Sequence, residues 1–581
     1  MLLTMPFPEP PTPHAPSTLA EVDARLERLA SRKDAWLSVT IEQRIEYLRK
    51  ATQGVLQVAE AWVSGGARLK GLSPEDPLAG EEWLAGPMAT VRNLRLLREA
   101  LEARGTPPPA RVRTLPDGRT VAQVFPMNLM DKLTLGGVSA EVWIEPGKPA
   151  TQGRAYREPK PPHGKVALVL GAGNVSSIPP MDVLYKLFVE DEVVLLKMNP
   201  VNEHSGPRLE EAFKALVDDG YLAVIYGGAD VGAYAAAHPS VDTLHVTGSD
   251  RTYDAIVWGG TEEERLANKA SGKRKNERPF SAELGCVTPV IVVPGPWSSA
   301  DIEYQARHVA SMVAQNASFN CNAAKVLVTA RGWLQRDAFL EALHRELAKT
   351  PRRKAYYPGA EARYKGFVDH YPRAMRLGPE AVDEHTLPWT VLPDVPPKEG
   401  EYALTNEAFC GVLAEVTLDL SEAKGGFTRD ASPDPAKFLE KAVTFANERC
   451  WGTLSCTLLV HPSTEEAHGA AVERAISELR YGGIGINCWP GLIYGLVSAT
   501  WGAYPGHPPE DIRSGAGVVH NSHLFDHPEK SVVRSRWKSA PKLPYFADHR
   551  NMRQLGERLT RFEASPSWGK LLSVAVAAMK G

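Results

Sequence analysis

Residues 17–105 carry apolar side chains at intervals of three and four positions, a pattern typical of amphipathic helices. The first helical stretch opens with Ser17 and Thr18, and Glu21 follows at the spacing of a capping box. A second stretch is predicted to end at the paired glycines Gly65 and Gly66. The pattern therefore predicts a helical layer that packs against a larger domain.

Residues 106–163 alternate apolar and polar positions instead, around a Pro-Asp-Gly turn at 116–118. Alternation with a turn of this kind predicts hairpins or an extended β arm. Such an arm could cover a cleft or pair with another subunit, and the sequence does not choose between them.

Residues 164–285 alternate apolar strand candidates with helical segments. The strand candidates are KVALVLGAG, EVVLLKMN, LAVIYGG and TLHVTG. Four β-α units in succession predict a parallel sheet with helices on both faces, and such sheets bind ligands at the carboxyl ends of their strands. Residues 286–460 repeat the pattern, with VTPVIVVPG and KVLVTA as strands, so we expect a second α/β domain.

The composition narrows the classes of function. The 581 residues suit two or three domains, and 43% hydrophobic with 23% charged residues is ordinary for a globular protein. A net charge of −3 with interspersed signs gives no basic surface for nucleic acid. No apolar run reaches the roughly 18 residues of a membrane helix. Six separated cysteines without metal spacing predict reduced thiols, a cytoplasmic location and no metal site.

The segment SMVAQNASFNCNAAKVLV places Cys321 between a helical run and a predicted strand. A cysteine at such a junction lies on a turn, where its sulfur can face a cleft and act as a nucleophile. Most free cysteines are instead small buried apolar residues, so Cys321 alone leaves both interpretations open.

Two polar residues follow predicted strands of the first sheet. Asn174 comes just after KVALVL, where its amide could donate to an oxyanion or simply cap the next helix. Lys197 ends EVVLLK, where it could reach a ribose or phosphate, or only solvent. The incomplete glycine pattern GAGNVSS makes the usual dinucleotide turn a weak prediction here.

Two further candidates lie at the next strand ends. Thr247, Gly248 and Ser249 open a helix whose free N–H groups could bind a pyrophosphate, or belong to an ordinary capped helix. Glu283 in SAELGC could be a general base, although most isolated glutamates are solvated surface groups.

Taken in order, GxGN, strand–Lys, VTGS, ELG, NxxxxC and EAFCG resemble the motifs of the aldehyde dehydrogenase superfamily. The resemblance covers about residues 165–490. It implies that Asn174 stabilises an oxyanion, that Glu283 activates water, and that Cys321, five residues after Asn316, is the nucleophilic thiolate. It also implies that the cofactor is held by Lys197, Thr247, Gly248, Ser249, Glu407 and Phe409.

The sequence departs from the superfamily pattern at several positions. ELGG is ELGC here, Ser318 and Phe319 replace the usual Gly-Gln before the cysteine, and Cys410 stands where a glycine is usual. Pro200 replaces the glutamate that many NAD-using members place on the ribose. Without that carboxylate a 2′-phosphate is not repelled, so the cofactor is predicted as NAD or NADP.

The resemblance implies an α/β fold of the aldehyde dehydrogenase type, with two doubly wound parallel-sheet domains and a β oligomerisation arm. Residues 1–16 are predicted to be a flexible arm. Residues 17–285 are predicted to contain the N-terminal helices, the β arm (about 106–163) and the nucleotide-binding domain (about 164–285). The catalytic domain is predicted at 286–460, and residues 461–581 are predicted to return to the cofactor domain and to form a C-terminal oligomerisation or tail region. We expect a homodimer or homotetramer. Loops such as 350–400 and the tail are predicted to form the substrate entrance.

The function implied is NAD(P)-dependent oxidation of an aldehyde to a carboxylic acid through a thioester on Cys321. A CoA-dependent acyl-CoA reductase is the first alternative, and Glu283 argues against it because transfer to CoA needs no water-activating base. A catalytically silent binding or scaffold protein is the second, and retention of Cys321, Glu283 and Asn174 together argues against it.

Overall fold

The computed structural model describes residues 14–379, 385–420 and 433–581. Its strands are β1 (Arg111–Thr114), β2 (Thr120–Phe125), β3 (Ser139–Ile144), β4 (Val166–Leu170), β5 (Val193–Lys197), β6 (Leu222–Ile225), β7 (Thr243–Gly248), β8 (Phe280–Leu284), β9 (Pro289–Val292), β10 (Val326–Ala330), β11 (Met375–Leu377), β12 (Trp389–Leu392), β13 (Val412–Leu418), β14 (Ser455–Leu459), β15 (Gly483–Ile486), β16 (Trp501–Gly502), β17 (Gly515–Ala516), β18 (Val518–Val519) and β19 (Pro528–Arg534).

The α-helices alternate with these strands through most of the chain. They are α1 (Leu19–Leu37), α2 (Ile41–Leu69), α3 (Gly80–Trp83), α4 (Ala89–Glu102), α5 (Leu129–Thr134), α6 (Arg154–Arg157), α7 (Ile178–Phe188), α8 (Gly206–Ala212), α9 (Lys214–Asp218), α10 (Ala229–Ala237), α11 (Asp250–Val257), α12 (Glu262–Ser271), α13 (Ser299–Ala314), α14 (Arg336–Lys349), α15 (Ala360–His370), α16 (Tyr402–Thr405), α17 (Pro435–Arg449), α18 (Pro462–Glu478), α19 (Gly491–Leu496), α20 (Met552–Ala564) and α21 (Trp568–Ala578). Within the described residues, none of them is long and apolar enough to cross a membrane.

The first sheet has the strand order β17-β8-β7-β4-β5-β6. Strands β4 to β8 run parallel, and β17 from the C-terminal part of the chain adds antiparallel to β8. Strands β4 and β5 are buried at every position, as expected of parallel strands covered on both faces. The predicted α/β fold is confirmed, and the carboxyl ends of these strands face one common edge.

The second sheet has eleven strands, in the order β1-β2-β3-β19-β15-β14-β9-β10-β13-β12-β11. Its centre, from β19 to β12, is parallel. Strands β1 to β3, within the predicted β arm, pair antiparallel and join this sheet through β19 of the same chain. The β arm and strand β19 of the tail therefore belong to the same sheet.

The N-terminal helices cover the first sheet. Thr18 and Glu21 form the predicted capping box of α1. Helix α2 does not end at the paired glycines but continues to Leu69. A Cβ at Gly66 would lie 2.3 Å from Oε2 of Glu82, so this glycine permits a close approach between helices and does not terminate one.

The ends of the chain pack on these elements. Helix α20 contacts α3, α4 and α21, and buried residues of α20 and α21 form a small core of their own. Most of the predicted arm at 1–16 lies outside the described residues, and His14 stacks on Tyr226 with ring centroids 4.8 Å apart.

Candidate active site

All nine residues predicted for the site line one cavity of about 1620 Å³, which we call the large cavity. It lies at the carboxyl ends of the first sheet and reaches the second domain. Its predicted lining residues are Asn174, Lys197, Thr247, Gly248, Ser249, Glu283, Cys321, Glu407 and Phe409. Motifs separated by more than 200 residues therefore share one space.

Cys321 follows a tight turn between α13 and β10, as the apolar pattern predicted. Three consecutive residues of that turn, Asn316, Ala317 and Ser318, have φ values of +53°, +54° and +69°. Non-glycine residues rarely adopt this left-handed region, and each costs on the order of 1–3 kcal/mol unless its surroundings fix it. Ser318 thus replaces the usual glycine at a position whose backbone favours glycine.

Side-chain hydrogen bonds hold this strained turn. The Asn316 amide donates to the carbonyl oxygens of Asn174, at 3.1 Å, and Phe319, at 3.2 Å. The Tyr356 hydroxyl donates to Oδ1 of Asn316 at 3.1 Å. Phe319 itself is buried edge-on against Tyr356, with ring centroids 4.9 Å apart. The position of Cys321 is therefore over-determined by contacts from three parts of the chain.

Lys325 lies directly beneath the turn, with its side chain only 2% exposed. Its Nζ donates to the carbonyl oxygens of Cys286, Asn320 and Cys321, at 3.0, 3.1 and 3.2 Å. The same ammonium forms an ion pair with Glu407 at 3.1 Å. A buried cation thus ties the cysteine turn to a predicted cofactor residue.

The sulfur of Cys321 is part-exposed, whereas the other five cysteines are buried. Burial, followed by the charge of Glu283, raises the pKa of Cys321 well above its usual value, and Lys325 opposes that rise. This direction favours the protonated thiol over the thiolate when the site holds no ligand. A neighbouring base has to remove that proton before attack.

Glu283, on β8, is the carboxylate beside that thiol. Its Oε1 accepts a hydrogen bond from the Trp501 indole at 3.1 Å. Burial raises the pKa of Glu283 to about 8, although hydrogen bonds from Cys321 and Trp501 lower it. A carboxylate with a pKa near neutrality can both accept and return a proton, as a general base requires.

Asn174 follows β4, and its Nδ2 donates to the Phe319 carbonyl at 2.9 Å. An amide nitrogen carries two hydrogens, so one remains for a ligand in the large cavity. The Asn174 carbonyl accepts hydrogen bonds from Lys70 and Tyr356 as well as from Asn316. These bonds fix the loop that presents the amide towards the cysteine.

Lys197 ends β5 and faces the large cavity. Its Nζ has no hydrogen-bond partner among the described residues, although the side chain is 7% exposed. Burial lowers the pKa of Lys197 to about 8, while the carboxylates of Glu203 and Asp230 raise it. An amine buried without a partner and facing a cavity is a candidate ligand-binding group.

The helix starts beyond β6 and β7 form the outer part of this cavity. Gly248 and Ser249 are exposed there, and the Ser249 hydroxyl caps α11 by accepting from the Thr252 N–H. The residue before helix α10 is Gly228, so no side chain caps the start of that helix. The Thr247 hydroxyl donates to Asp182 at 2.8 Å, so its side chain faces inward.

Glu407 and Phe409 approach from the second domain. The Cys286 N–H donates to Glu407 at 3.3 Å, and Phe409, at φ +42°, stacks edge-on against Tyr357. A Cβ on Gly285 would lie 1.9 Å from Oε2 of Glu407. The ELG glycine therefore makes room for the carboxylate of the later motif.

A second cavity of about 560 Å³, the apolar cavity, meets the large one at Ile178, Thr247, Glu283 and Cys321. Its walls come from the N-terminal helices, α5 and the tail. The predicted entrance combined loops such as 350–400 with the tail, and the tail does line this cavity. Tyr357, Arg363 and Phe367 of the stretch 350–400 line the large cavity, and none of the described residues of that stretch lines the apolar one.

Comparisons with known proteins agree with this geometry. The model of the aldehyde dehydrogenase family matches residues 157–359, which include Asn174, Lys197, Glu283 and Cys321. This part of the chain is therefore similar to the aldehyde dehydrogenase family. An N-succinylglutamate 5-semialdehyde dehydrogenase from Sphingopyxis alaskensis is 28% identical over 193 residues, 33% of this chain. The match spans 35% of that relative's length.

Solved structures of aldehyde dehydrogenases have the same fold as this chain. A glyceraldehyde-3-phosphate dehydrogenase from Bacillus halodurans, complexed with NADP, is 17% identical, with a TM-score of 0.58 over 89% of this chain and 92% of that one. An aldehyde dehydrogenase from Mycobacterium tuberculosis, complexed with NAD+, is also 17% identical, with a TM-score of 0.58 over 89% and 91% of the two chains.

Two residues near Cys321 were not predicted from the sequence. Lys325 opens the buried strand β10, and a charge at the start of an otherwise apolar run was the available signal. Trp501 donates to Glu283 from 218 residues further along the chain, and no local pattern distinguishes it from other tail aromatics.

Proposed function

We propose that the protein oxidises an aldehyde to a carboxylic acid with NAD or NADP as the hydride acceptor. The observation that carries the proposal is the position of Cys321, where the large and apolar cavities meet with Glu283 beside it. A reaction between a dinucleotide and a second substrate needs two spaces that converge on the reacting atom. The match of residues 157–359 to the aldehyde dehydrogenase family model supports the same chemistry.

The large cavity fits a nicotinamide dinucleotide. Ala233 and Ala236 of α10 and Ile256 of α11 line it and give it an apolar surface suited to a flat base. The N–H groups at Gly248 and Ser249 suit a pyrophosphate, and Lys197 suits a ribose. Glu407 and Phe409 would hold the nicotinamide end. When bound, the nicotinamide ring accepts the hydride released by the substrate carbon.

Glu283 would begin the reaction by taking the proton of the Cys321 thiol. The sulfur then attacks the aldehyde carbon, and the carbonyl oxygen becomes an oxyanion. The free hydrogen of the Asn174 amide and the Cys321 N–H donate to that oxyanion. Loss of one such donor costs about 3–4 kcal/mol of transition-state stabilisation.

Oxidation of the carbon leaves a thioester on Cys321. Glu283 first releases the proton taken from Cys321 to solvent and then deprotonates a water molecule, whose oxygen attacks the thioester. The carbon–sulfur bond breaks, the carboxylic acid leaves, and Glu283 returns the second proton to the Cys321 sulfur. Overall, aldehyde, NAD(P)+ and water give acid, NAD(P)H and a proton. A carboxyl group with a pKa of about 8 suits both proton transfers.

Replacing Cys321 tests the nucleophile. Cys321→Ala is expected to lower aldehyde-dependent NAD(P)H production at least about a thousandfold, because the covalent step disappears. Cys450→Ala is the matched control: this thiol is buried at the end of α17 and lines neither cavity, so activity should persist. Persistence of activity in Cys321→Ala would remove the nucleophile from the proposal.

Glu283→Gln separates hydrolysis from transfer to CoA. Because Glu283 is proposed for both proton transfers, the variant should form the thioester slowly. It should then stop after at most one equivalent of NAD(P)H per site and retain the thioester, which hydroxylamine traps. A CoA-dependent steady-state rate in the wild-type protein would favour the acyl-CoA reductase instead. Failure of both NAD and NADP to raise the melting temperature would favour the scaffold.

A cytoplasmic location and a homodimer or homotetramer are also proposed. Six free cysteines are in keeping with a reducing compartment. Size-exclusion chromatography with light scattering measures the oligomeric state directly.

A further inference from the structure

The apolar cavity has a chemical character of its own. Its walls include Leu84, Leu492, Leu555 and Leu571, which come from four separate parts of the chain. Leucine side chains from separate helices do not converge on an unfilled space in a well-packed core, where such space is costly. The cavity is therefore shaped for an apolar ligand.

The charges along this cavity are already paired or lie at its ends. Arg92 on α4 forms a buried ion pair with Glu563 on α20 at 2.7 Å, so neither charge is available to a ligand. Asp182 and His520 lie with Glu283 among the polar lining residues. Lys132 and Arg536 also line the cavity without an ion pair, but both are exposed to solvent. Among the described lining residues, no buried cation is left unpaired for a second carboxylate or a phosphate of a substrate.

Exposed apolar side chains mark where the apolar cavity opens to solvent. Leu133 on α5 is 56% exposed and Met579, just after α21, is 69% exposed, and both line the cavity. Cys321 and Glu283 lie at its other limit, where it meets the large cavity. A chain entering at the surface would pass along apolar walls before its end reaches the sulfur.

We propose that the substrates are aldehydes carried on an extended, unbranched aliphatic chain. The inference rests on the proposed function for its aldehyde group and on the apolar cavity for the chain. Each methylene moved from water into apolar surroundings strengthens binding about fourfold. A short polar or phosphorylated aldehyde gains nothing from these walls.

A series of aldehydes with aliphatic chains of increasing length tests the proposal directly. The value of kcat/KM should rise about three- to fourfold for each added methylene from propanal towards decanal and then level off. Succinic semialdehyde, which ends in a carboxylate, should be a poorer substrate than hexanal. A flat series, or a preference for succinic semialdehyde, would overturn the proposal.

Gly495 offers a way to shorten the cavity. It lies on α19, lines the cavity, and has no atom within 4 Å of the position of an added Cβ. Gly495→Leu should lower the ratio of the kcat/KM values for decanal and propanal at least about tenfold. Gly469→Leu is the control, since Gly469 is a helical glycine in equally open space that lines neither cavity. An unchanged ratio in Gly495→Leu would refute the assignment.

A binding measurement separates this inference from the proposed reaction. Decanamide and propanamide mimic the aldehydes without reacting, and calorimetry on Cys321→Ala reports their affinities. Tight binding of decanamide by the variant, together with no aldehyde oxidation by the wild type, would preserve the chain site and reject the proposed function. If the wild type oxidises aldehydes but the variant binds decanamide no more tightly than propanamide, only the chain site is rejected.

Discussion

The proton balance between Glu283 and Cys321 sets the chemistry at the scale of single residues. Both groups have raised pKa values, each chiefly because of burial. A site that keeps its nucleophile protonated at rest avoids a buried thiolate and ionises only when a base accepts the proton. The strained turn at 316–318 holds the sulfur where that transfer is possible.

Activity is expected to depend on pH through Glu283. Below its pKa of about 8 the carboxyl group is protonated and cannot act as a base, so kcat/KM should fall about tenfold per pH unit on that side. Above it the rate should level off. A pH–rate profile between pH 6 and 10 measures this acidic limb, the range in which kcat/KM rises with pH.

Trp501 provides the matching test, because its indole lowers the pKa of Glu283. Trp501→Phe should move the limb to higher pH, since the hydrogen bond to the ionised carboxylate is lost. If the acidic limb of Trp501→Phe lies at the same pH as that of the wild type, a group other than Glu283 controls the pH dependence.

Sequence reasoning located the predicted site residues because each lies beside a recognisable element end. Cys321, Asn174 and Lys197 all follow or precede runs of apolar residues that form strands or helices. Trp501 could not be found in this way, since its contact with Glu283 depends on tertiary folding. Nor could the protonation state of Cys321, which depends on burial.

At the scale of elements, the loop after β8 and the loop before β13 fit together through one glycine. Gly285→Ala would place a methyl carbon 1.9 Å from Oε2 of Glu407 and displace the carboxylate from Lys325 and from the Cys286 N–H. The KM for NAD or NADP should rise about tenfold, the effect of losing one or two hydrogen bonds to a charged group.

The control for that change is Gly469→Ala, at a helical glycine with open space around it. Steady-state titration of the cofactor at saturating aldehyde compares the two variants. An unchanged cofactor KM in Gly285→Ala would remove Glu407 from the cofactor site.

The β arm shows where element prediction ends. Alternation in residues 106–163 predicted strands, and β1 to β3 form there. Their partner is β19, paired antiparallel with β3 from almost 400 residues further along the chain. Strand pairing over such separations depends on the whole fold. The local pattern therefore could not show whether the arm covers a cleft, pairs with another subunit or extends a sheet of its own chain.

At the scale of the molecule, the C-terminal tail connects both domains. Strand β17 pairs with β8 in the first sheet, β19 pairs with β15 in the second, and α20 packs on the N-terminal helices. The α/β class was predictable because strand and helix periods alternate along the chain. The tail's course was not, because it contains mostly short elements with little periodicity.

Glu563 joins the two ends of the chain by accepting hydrogen bonds from Arg92 and Arg95 of α4. Glu563→Gln leaves the buried Arg92 guanidinium without a counter-charge and Arg95 with Glu99 alone, which should cost about 3–5 kcal/mol of folding free energy. Glu557→Gln on the same helix is the control, because its pair with Arg561 is largely exposed and contributes well under about 1 kcal/mol. Thermal and urea unfolding should therefore separate the two variants clearly. Equal stability would mean that α20 is held by its apolar contacts alone, and the apolar cavity would then keep its wall without this ion pair.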